Sequence, residues 1–222
     1  MGWILQVALP GRPDLSGAVL HPGYAGQEGA AKWKVEGGEL TFDAGQVGWL
    51  RSNSVFADYV LKLDFRTRKG GNSGLFVRSA KTGLPHETGY EVQIWDDNPK
   101  FPTGSLVNHV RAKKAKIKAD QWNAYEIRIE GDRFQVTLNG KKILDARDAK
   151  SKAGHIGLQA NKDRIEFRNI KLKPLGMKAL FDGKTLAGWK VIQPPKPPKE
   201  PAEWSVKDGA IHVVKGGGQL ET

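Results

Sequence analysis

The sequence contains no cysteine, and its five histidines show none of the spacings typical of metal-binding or metalloprotease motifs. Without thiols the chain has no disulfide framework, no thiolate nucleophile and no cysteine-ligated zinc site. The glycines at 216–218 are not followed by GK[ST], so they do not form a phosphate-binding loop. The segment around Ser73 lacks the pattern of a nucleophile elbow. These absences exclude several common enzyme classes.

Long apolar runs are also missing. No stretch approaches the roughly 20 apolar residues that a membrane-spanning helix needs. The first residues, MGWILQVALPGRPD, lack the basic region and long apolar stretch of a signal peptide. We therefore expect no membrane span, and the chain shows no signal peptide of its own.

Acidic residues are absent between Asp97 and Asp120, within a chain whose net charge is +11. This span holds the densest basic run, RAKKAKIK, from Arg111 to Lys118. The run is typical of an anion-binding loop or of an ordinary solvated loop. Because no nucleic-acid-binding signature accompanies it, the solvated loop is favoured and nucleic acid is not an expected partner.

Short strands separated by turn residues fill residues 33 to 173. DYVLKLDFRTR places Leu61, Leu63 and Phe65 on one face, opposite charged residues. In YEIRIEGDRFQVTLNGKKILDA, two hairpins are predicted, one turning at Gly131-Asp132 and one at Asn139-Gly140. No segment has a helical apolar period over ten residues. The pattern predicts an all-β fold, an antiparallel β-sandwich or jelly roll.

Three of these strands carry an unusual second face. In GYEVQIW, Glu91, Gln93 and Trp95 alternate with apolar residues, and in NSGLFVR, Phe76 and Arg78 do so with Gly74. In GHIGLQ, the alternating set is His155, Gly157 and Gln159. Aromatic rings stack on the C–H faces of sugars, and the polar groups bond hydroxyls. The alternation therefore predicts a sugar-binding concave face, although an ordinary exposed sheet face would show the same period.

Six segments, in order along the chain, resemble the 3-keto-disaccharide hydrolase domain family. They are GGNSGLFVR (70–78), GYEVQIWDD (89–97), the two-hairpin segment (121–143), GHIGLQ, IEFRNIKLKPL and LFDGKTLAGW (180–189). The resemblance implies a concanavalin A-like jelly roll that cleaves glycosides whose C3 hydroxyl has been oxidised to a ketone. It also implies a periplasmic or extracellular setting. One departure stands out: the first copy opens with GWILQVALPGRPDLSGAVLHPG where the family opens with the LFDGKTLAGW segment.

The chemistry of a 3-keto sugar indicates which residues are useful. The ketone acidifies the C2 hydrogen, so a base can remove it, the C1 aglycone leaves, and water adds to the enone. Glu91 is the candidate base or acid, Arg78 the candidate cation for the enolate oxygen, and His155 the second proton-transfer group. The predicted substrate-binding residues are Gln93, Trp95, Phe76, Asn72, Gln159 and Asp96.

No cofactor is assigned from the sequence. Asp96 and Asp97 with Glu91 offer oxygen ligands that suit a divalent cation, and such a cation could replace Arg78 as the electrophile. Two adjacent acids at a strand end are also typical of a turn. The sequence is compatible with both a divalent-cation site and a turn at these residues.

The end of the chain repeats its beginning. WSVKDGAI (204–211) matches WKVEGGEL (33–40) at an offset of 171, and GGQLET (217–222) parallels VGWLRS (47–52) at an offset of 170. The predicted organisation is an atypical lead segment (1–32), a sugar-active sandwich (33–175), and a proline-rich linker with a partial repeat (176–222). We predict that KALFDGKTLAGW and the strands at 204–214 dock on the first sandwich, on an edge left vacant by its missing opening, or on a neighbouring molecule in the same way. The alternative is that the repeat is the start of a second domain.

Two main functions fit these features. The first is cleavage of 3-keto-disaccharides or 3-keto-glycosides, with an oligosaccharide or glycoside as the partner. The second is a carbohydrate-binding module on the same fold, without turnover. A polyanion binder that uses the basic surface is a third. The grouping of Glu91, Arg78 and His155 favours catalysis, because a lectin needs no proton-transfer group.

Overall fold

The structure is a computed structural model that describes residues 5–6, 18–21, 31–43, 45–176, 179–192, 196 and 200–221, with backbone only for residues 5–6 and 18–21. The chain divides into two compact units, Met1–Leu175 and Gly176–Thr222. We call them unit 1 and unit 2, and we describe each by itself.

Unit 1 is built almost wholly from strands. They are β1 (Leu5–Gln6), β2 (Ala18–His21), β3 (Trp33–Glu36), β4 (Glu39–Phe42), β5 (Gly48–Ser52), β6 (Tyr59–Thr67), β7 (Ser73–Ser79), β8 (Tyr90–Ile94), β9 (Asn123–Glu130), β10 (Arg133–Leu138), β11 (Lys141–Arg147), β12 (His155–Ala160) and β13 (Ile165–Pro174). A short helix, α1 (Pro85–Thr88), precedes β8. In the described part of the chain, no helix has the length and apolar character needed to cross a membrane.

The strands form two antiparallel sheets. One has the order β11-β10-β9-β6-β13-β4-β3, with β1 also paired to β13, and the other has the order β2-β5-β12-β7-β8. Apolar side chains of both sheets pack against each other between them, including Phe65, Ile127 and Phe167 from the first and Leu75 and Val92 from the second. This confirms the predicted antiparallel β-sandwich.

The larger sheet has one core face and one solvent face. Burial alternates along β9, where buried residues are separated by exposed or half-buried ones. The same alternation runs through most of β6, which buries Leu61, Leu63 and Phe65 as predicted. The two predicted hairpins join β9 to β10 and β10 to β11, and Asn139 and Gly140 both have the positive φ that such a turn requires.

Four strands of the smaller sheet, β5, β7, β8 and β12, are buried on both faces. Every residue of β7, β8 and β12 is buried, and so are the first four residues of β5. An antiparallel sheet with one wet face would alternate, as β9 does. The face of the smaller sheet that points away from the core is therefore withdrawn from solvent, and we call it the outer face.

The opening of unit 1 differs from the expectation of a vacant edge. β2 pairs with β5, β3 pairs with β4, and β4 pairs with β13. The segment that reads as atypical thus supplies a strand at the place where an opening strand is needed. Docking of the tail on unit 1 stays a prediction.

Unit 2 contains two pairs of antiparallel strands. β14 (Lys190–Ile192) pairs with β17 (Gln219–Glu221), and β15 (Glu203–Lys207) pairs with β16 (Ala210–Lys215). Several of its apolar side chains are exposed, among them Leu180, Val191, Val213 and Val214. Most of the segment QPPKPPKEP lies outside the described residues.

Candidate functional site

The outer face is built by four neighbouring strands. Its residues alternate with core residues, and they are Trp49 and Arg51 on β5, Gly157 and Gln159 on β12, Gly74 and Phe76 on β7, and Glu91 and Gln93 on β8. The register places Arg51 beside Gly157, Gly157 beside Phe76, and Phe76 beside Glu91. The smaller sheet thus carries one row with a cation at one end and a carboxylate at the other.

Glu91 is the only acid on this row, and its residue is just 7% exposed. Gln159 Nε2 donates a hydrogen bond to Glu91 Oε1 over 3.0 Å. Among the described residues, no Lys, Arg or His forms a salt bridge with Glu91. Burial therefore dominates and raises the pKa of Glu91 to about 7, against a smaller lowering by the Gln159 bond. A carboxyl group with such a pKa can take up or release a proton near neutral pH.

Glycine makes room for the side chains of this face. A Cβ atom at Gly157 would lie 2.1 Å from the Trp49 ring, so the ring occupies the space above β12. A Cβ atom at Gly74 would lie 2.7 Å from Glu91 Oε1. Trp49 meets Phe76 edge to face, with ring centroids 5.5 Å apart. The two aromatic rings therefore lie between Arg51 and Glu91.

The backbone of Gln93 forms hydrogen bonds outside its own sheet. Its C=O accepts a hydrogen bond from the Tyr125 hydroxyl at 2.8 Å and another from the Gly104 N–H, and its own N–H donates to the Ser105 C=O. Val107 N–H donates to the Glu91 C=O. Loop residues 104–107 therefore cover the edge of β8 and fix the two outer-face residues in place.

His155 lies beside Arg51 at the start of β12. Its Nδ1 is 2.9 Å from the Ser52 C=O, and its Nε2 is 3.1 Å from Arg51 Nη1. Arg51 Nη1 also lies 2.8 Å from His155 Nδ1. An arginine only donates, so the imidazole ring that accepts from it is neutral. Burial, followed by the Arg51 charge, lowers the pKa of His155 and keeps it neutral. The structure joins His155 to Arg51, and no described contact joins it to Glu91.

Arg78 does not lie on the outer face, contrary to the strand alternation. Its guanidinium donates to the C=O groups of Ala57, Gly131 and Ser151 and to the Asp58 carboxylate. β7 carries one residue more than β12 between the pairs Phe76↔Gly157 and Ser79↔His155, and Arg78 has a φ of 54°. This bulge rotates Arg78 away from the outer face. The side chain instead holds loops together through its hydrogen bonds.

The other predicted contact residues are spread more widely. Phe76 and Gln159 belong to the outer face, whereas Trp95 is half-buried just beyond the end of β8. Asp96 Oδ1 accepts from the Thr103 hydroxyl and Oδ2 from the Ile117 N–H, so its carboxylate anchors the basic loop. Asn72 is tied through its N–H to Asp163.

A metal centre receives no support from this geometry. Within the described ranges, no three His, Cys, Asp or Glu side chains are grouped so as to hold a metal ion. The oxygens of Asp96 are occupied by protein donors, and Asp97 is exposed. The ligand set suggested from the sequence, Glu91 with Asp96 and Asp97, therefore does not assemble.

Sequence reasoning missed Trp49 and Arg51. Both lie in the segment GWLRS, where an aromatic and a guanidinium flank the core residue Leu50. The same alternation that singles out Glu91 and Gln93 is present there, over three residues only. That short pattern was the available signal.

Comparisons with known proteins agree with the fold. The sequence profile of the 3-keto-alpha-glucoside-1,2-lyase-like domain matches residues 13–173. No curated protein matches the chain. A candidate glycosyl hydrolase from Parabacteroides distasonis is similar in structure, with 26% sequence identity and a TM-score of 0.63, and the match covers 76% of this chain and 98% of that one.

Two further solved structures share the architecture at lower identity. Carbohydrate binding module CBM66 from Bacillus subtilis has 20% identity and a TM-score of 0.56, over 71% of this chain and 95% of that one. A Bacillus subtilis protein with a galectin-like fold has 13% identity and a TM-score of 0.55, over 78% and 96%. At these identities the likeness concerns the fold alone.

Proposed function

Because the chain belongs to the 3-keto-alpha-glucoside-1,2-lyase-like domain family, we propose that unit 1 cleaves 3-keto-glucosides by elimination across C1 and C2. The family and the hydrolase relative both point to carbohydrate chemistry. The observation that carries the proposal is Glu91, a buried carboxyl without a cationic partner among the described residues, whose pKa lies at about 7.

Glu91 acts as the base in this reaction. A ketone at C3 acidifies the hydrogen on C2, and the aglycone oxygen on C1 is β to that ketone. Glu91 takes the C2 proton, the electrons form the C1=C2 double bond, and the C1–O bond breaks. The aglycone leaves as an alcohol after it gains a proton, and the sugar remains as an enone that water can add to. A carboxylate near its pKa can accept the first proton and return it to the leaving oxygen.

Arg51 is the cation of the outer face, and we assign it to substrate binding at the end of the row away from Glu91. It stands three strand intervals from Glu91, or about 14 Å between Cα atoms at about 4.8 Å a strand. Trp49 and Phe76 lie between the two. Both rings are buried in this structure, so stacking on the C–H face of a sugar ring requires that the outer face opens to the substrate. A cation at this end donates hydrogen bonds to the oxygens of the part of the substrate that lies away from C2. His155 positions the Arg51 guanidinium through its Nε2.

The test is release of glucose from 3-keto-trehalose. Wild type should release it, whereas Glu91→Gln should lose at least about 100-fold in kcat/KM, the range that removal of a general base produces. Glu130→Gln is the matched control, because Glu130 is exposed on the larger sheet. Unoxidised trehalose should stay intact, since its C2 hydrogen is not acidic.

The pH profile gives a second readout of the same role. Glu91 must be ionised to act as the base, so kcat/KM should rise with pH through about 7 and then level off. In D₂O, recovered substrate should carry deuterium at C2, and so should the product that forms when water adds to the enone. Full activity of Glu91→Gln, or cleavage of unoxidised trehalose at the same rate, would rule the mechanism out.

The outer face also suits binding without turnover. Trp49, Phe76, Gln93 and Gln159 provide rings and amides, which is the equipment of a carbohydrate-binding module. Calorimetry with 3-keto-trehalose separates the two functions. Binding that Glu91→Gln preserves, together with no glucose release by wild type, would favour the module.

A further inference from the structure

We propose that unit 2 is the opening of a second sandwich of the same kind, and that its apolar face fits strands of the β12 and β13 type. The inference is independent of the catalytic proposal. It rests on strand pairing, turn geometry and burial in the two units, each taken by itself.

The hairpin β15–β16 repeats the register of the hairpin β3–β4. In the first hairpin Trp33 pairs with Phe42 and Val35 with Leu40. Adding 171 to each number gives the pairs Trp204↔Val213 and Val206↔Ile211, and both occur in the second hairpin. The two intervening pairs, Ser205↔His212 and Lys207↔Ala210, also follow the same offset. Register is set by which side chains share a face, so this match is a structural one.

The turns of the two hairpins also agree. Gly37 and Gly38 have φ values of 57° and 82°, and Asp208 and Gly209 have φ values of 52° and 75°. Two successive residues with positive φ define the tight turn that suits a two-residue hairpin loop. Asp208 adopts this conformation at a position where the first hairpin has glycine.

The pairing of β14 with β17 repeats that of β2 with β5. Leu20 pairs with Leu50 in unit 1, and Val191 pairs with Leu220 in unit 2. The offset is 171 on the first strand and 170 on the second, and the neighbouring pairs keep it. In both units the paired outer strands enclose the hairpin along the chain. Four strands of unit 2 therefore have counterparts of the same order, direction and register.

The exposure of the unit 2 side chains shows that they lack the covering sheet that their counterparts in unit 1 have. Trp33, Leu40 and Phe42 are 6%, 2% and 0% exposed, because they face the core of unit 1. On the matching face of unit 2, Val213 is 57% exposed. Trp204 and Ile211 are only half-buried. An apolar face of this kind marks a surface that a partner covers.

The repeat also identifies the partner strands. In unit 1, β4 pairs with β13, whose Phe167 ring lies 6.0 Å from the Trp33 ring, and β5 pairs with β12. By correspondence, β16 fits a β13-type strand and β17 fits a β12-type strand. The β12 and β13 strands of unit 1 already pair with β5 and β4, so the occupant is the later half of another copy of the domain.

A graft within the full chain tests this fit. Residues 33–42 are replaced by the sequence of residues 204–213, so that the unit 2 hairpin has to pair with β13. If the hairpins are equivalent, the graft should melt cooperatively within about 10 °C of the parent, which is the range for a few small core changes. Thermal unfolding followed by circular dichroism gives the measurement.

The matched control moves the graft by one residue. Residues 33–42 are replaced by the sequence of 205–214, which also puts valine at position 42. At all the remaining positions, the shift by one residue moves each side chain to the opposite face. This graft should lose the cooperative transition. A third graft, 204–213 with Phe42 retained, separates lost core volume from lost register. If this third graft fails to fold, or if the shifted graft folds as well as the in-register one, the proposal is overturned.

Discussion

At pH 8 the buried Glu91 carboxylate lowers the free energy of unfolding. Its pKa is about 7 in the folded chain and near 4.5 in the unfolded chain, so the folded state binds the proton more tightly. Stability is therefore highest below pH 4.5 for this group, and it falls as pH rises from about 4.5 to 7. A difference of that size corresponds to about 3 kcal/mol.

Glu91→Gln should reverse this loss. The amide stays neutral, so the variant should melt above wild type at pH 8, and the gain should vanish near pH 4.5. Glu130→Gln, on the exposed strand end of β9, should show no such pH-dependent difference. A gain of equal size at both pH values would mean that ionisation of Glu91 is not its cause.

Gly157→Ala tests the place of the Trp49 ring. The added methyl group would lie 2.1 Å from that ring, and both strands are buried, so the ring has to leave its position. We expect a loss of about 1–3 kcal/mol in stability, as in overpacked cores, and a raised KM for 3-keto-trehalose. Gly217→Ala is the control, because an added Cβ there meets nothing within 4 Å. An unchanged melting temperature and KM would contradict the placement of the ring.

At the scale of the strand, the bulge in β7 directs the Arg78 side chain to loops, which it holds together by hydrogen bonds. Its guanidinium bonds three backbone carbonyls and Asp58 while the residue is 1% exposed. Arg78→Met should leave three backbone carbonyls without their donor, at a cost of about 1–3 kcal/mol of stability for each carbonyl that stays buried. Folded Arg78→Met protein should still turn over substrate at low temperature, whereas folded Arg51→Met protein should show a raised KM. Loss of kcat in folded Arg78→Met protein would return Arg78 to the reaction.

The same bulge shows why the strands were easier to predict than the site. Strands β9 and β10 follow a period of two throughout, and β6 follows it from Leu61 onwards, so their core residues can be identified from the sequence. Glu91, Gln93 and Gln159 share that regularity and were placed on one face. Arg78 follows an extra residue that alternation cannot detect. Arg51 lies on a strand too short for its alternation to stand out.

At the scale of the molecule, the two units are expected to behave separately in unfolding. In unit 1, β5 and β4 already have neighbours from their own unit, since β2 pairs with β5 and β13 with β4. Truncation after Leu175 should therefore leave its melting temperature within about 2 °C of the full chain, the size of a change below 1 kcal/mol. Differential scanning calorimetry gives the comparison. A clear fall would instead support docking of unit 2 on unit 1, as the repeat first suggested.

Glycine at positions 74 and 157 has a use in comparing relatives of this chain. Both residues are defined by the absence of a side chain, and in each case a neighbour from the next strand occupies the space that a Cβ would take. A homologue with alanine or a larger residue at the position of Gly157 must hold its aromatic ring elsewhere. In a homologue with a side chain at the position of Gly74, the carboxylate must lie elsewhere. The residues at these two positions therefore divide the family into members that can place the aromatic ring and the carboxylate as this chain does and members that cannot.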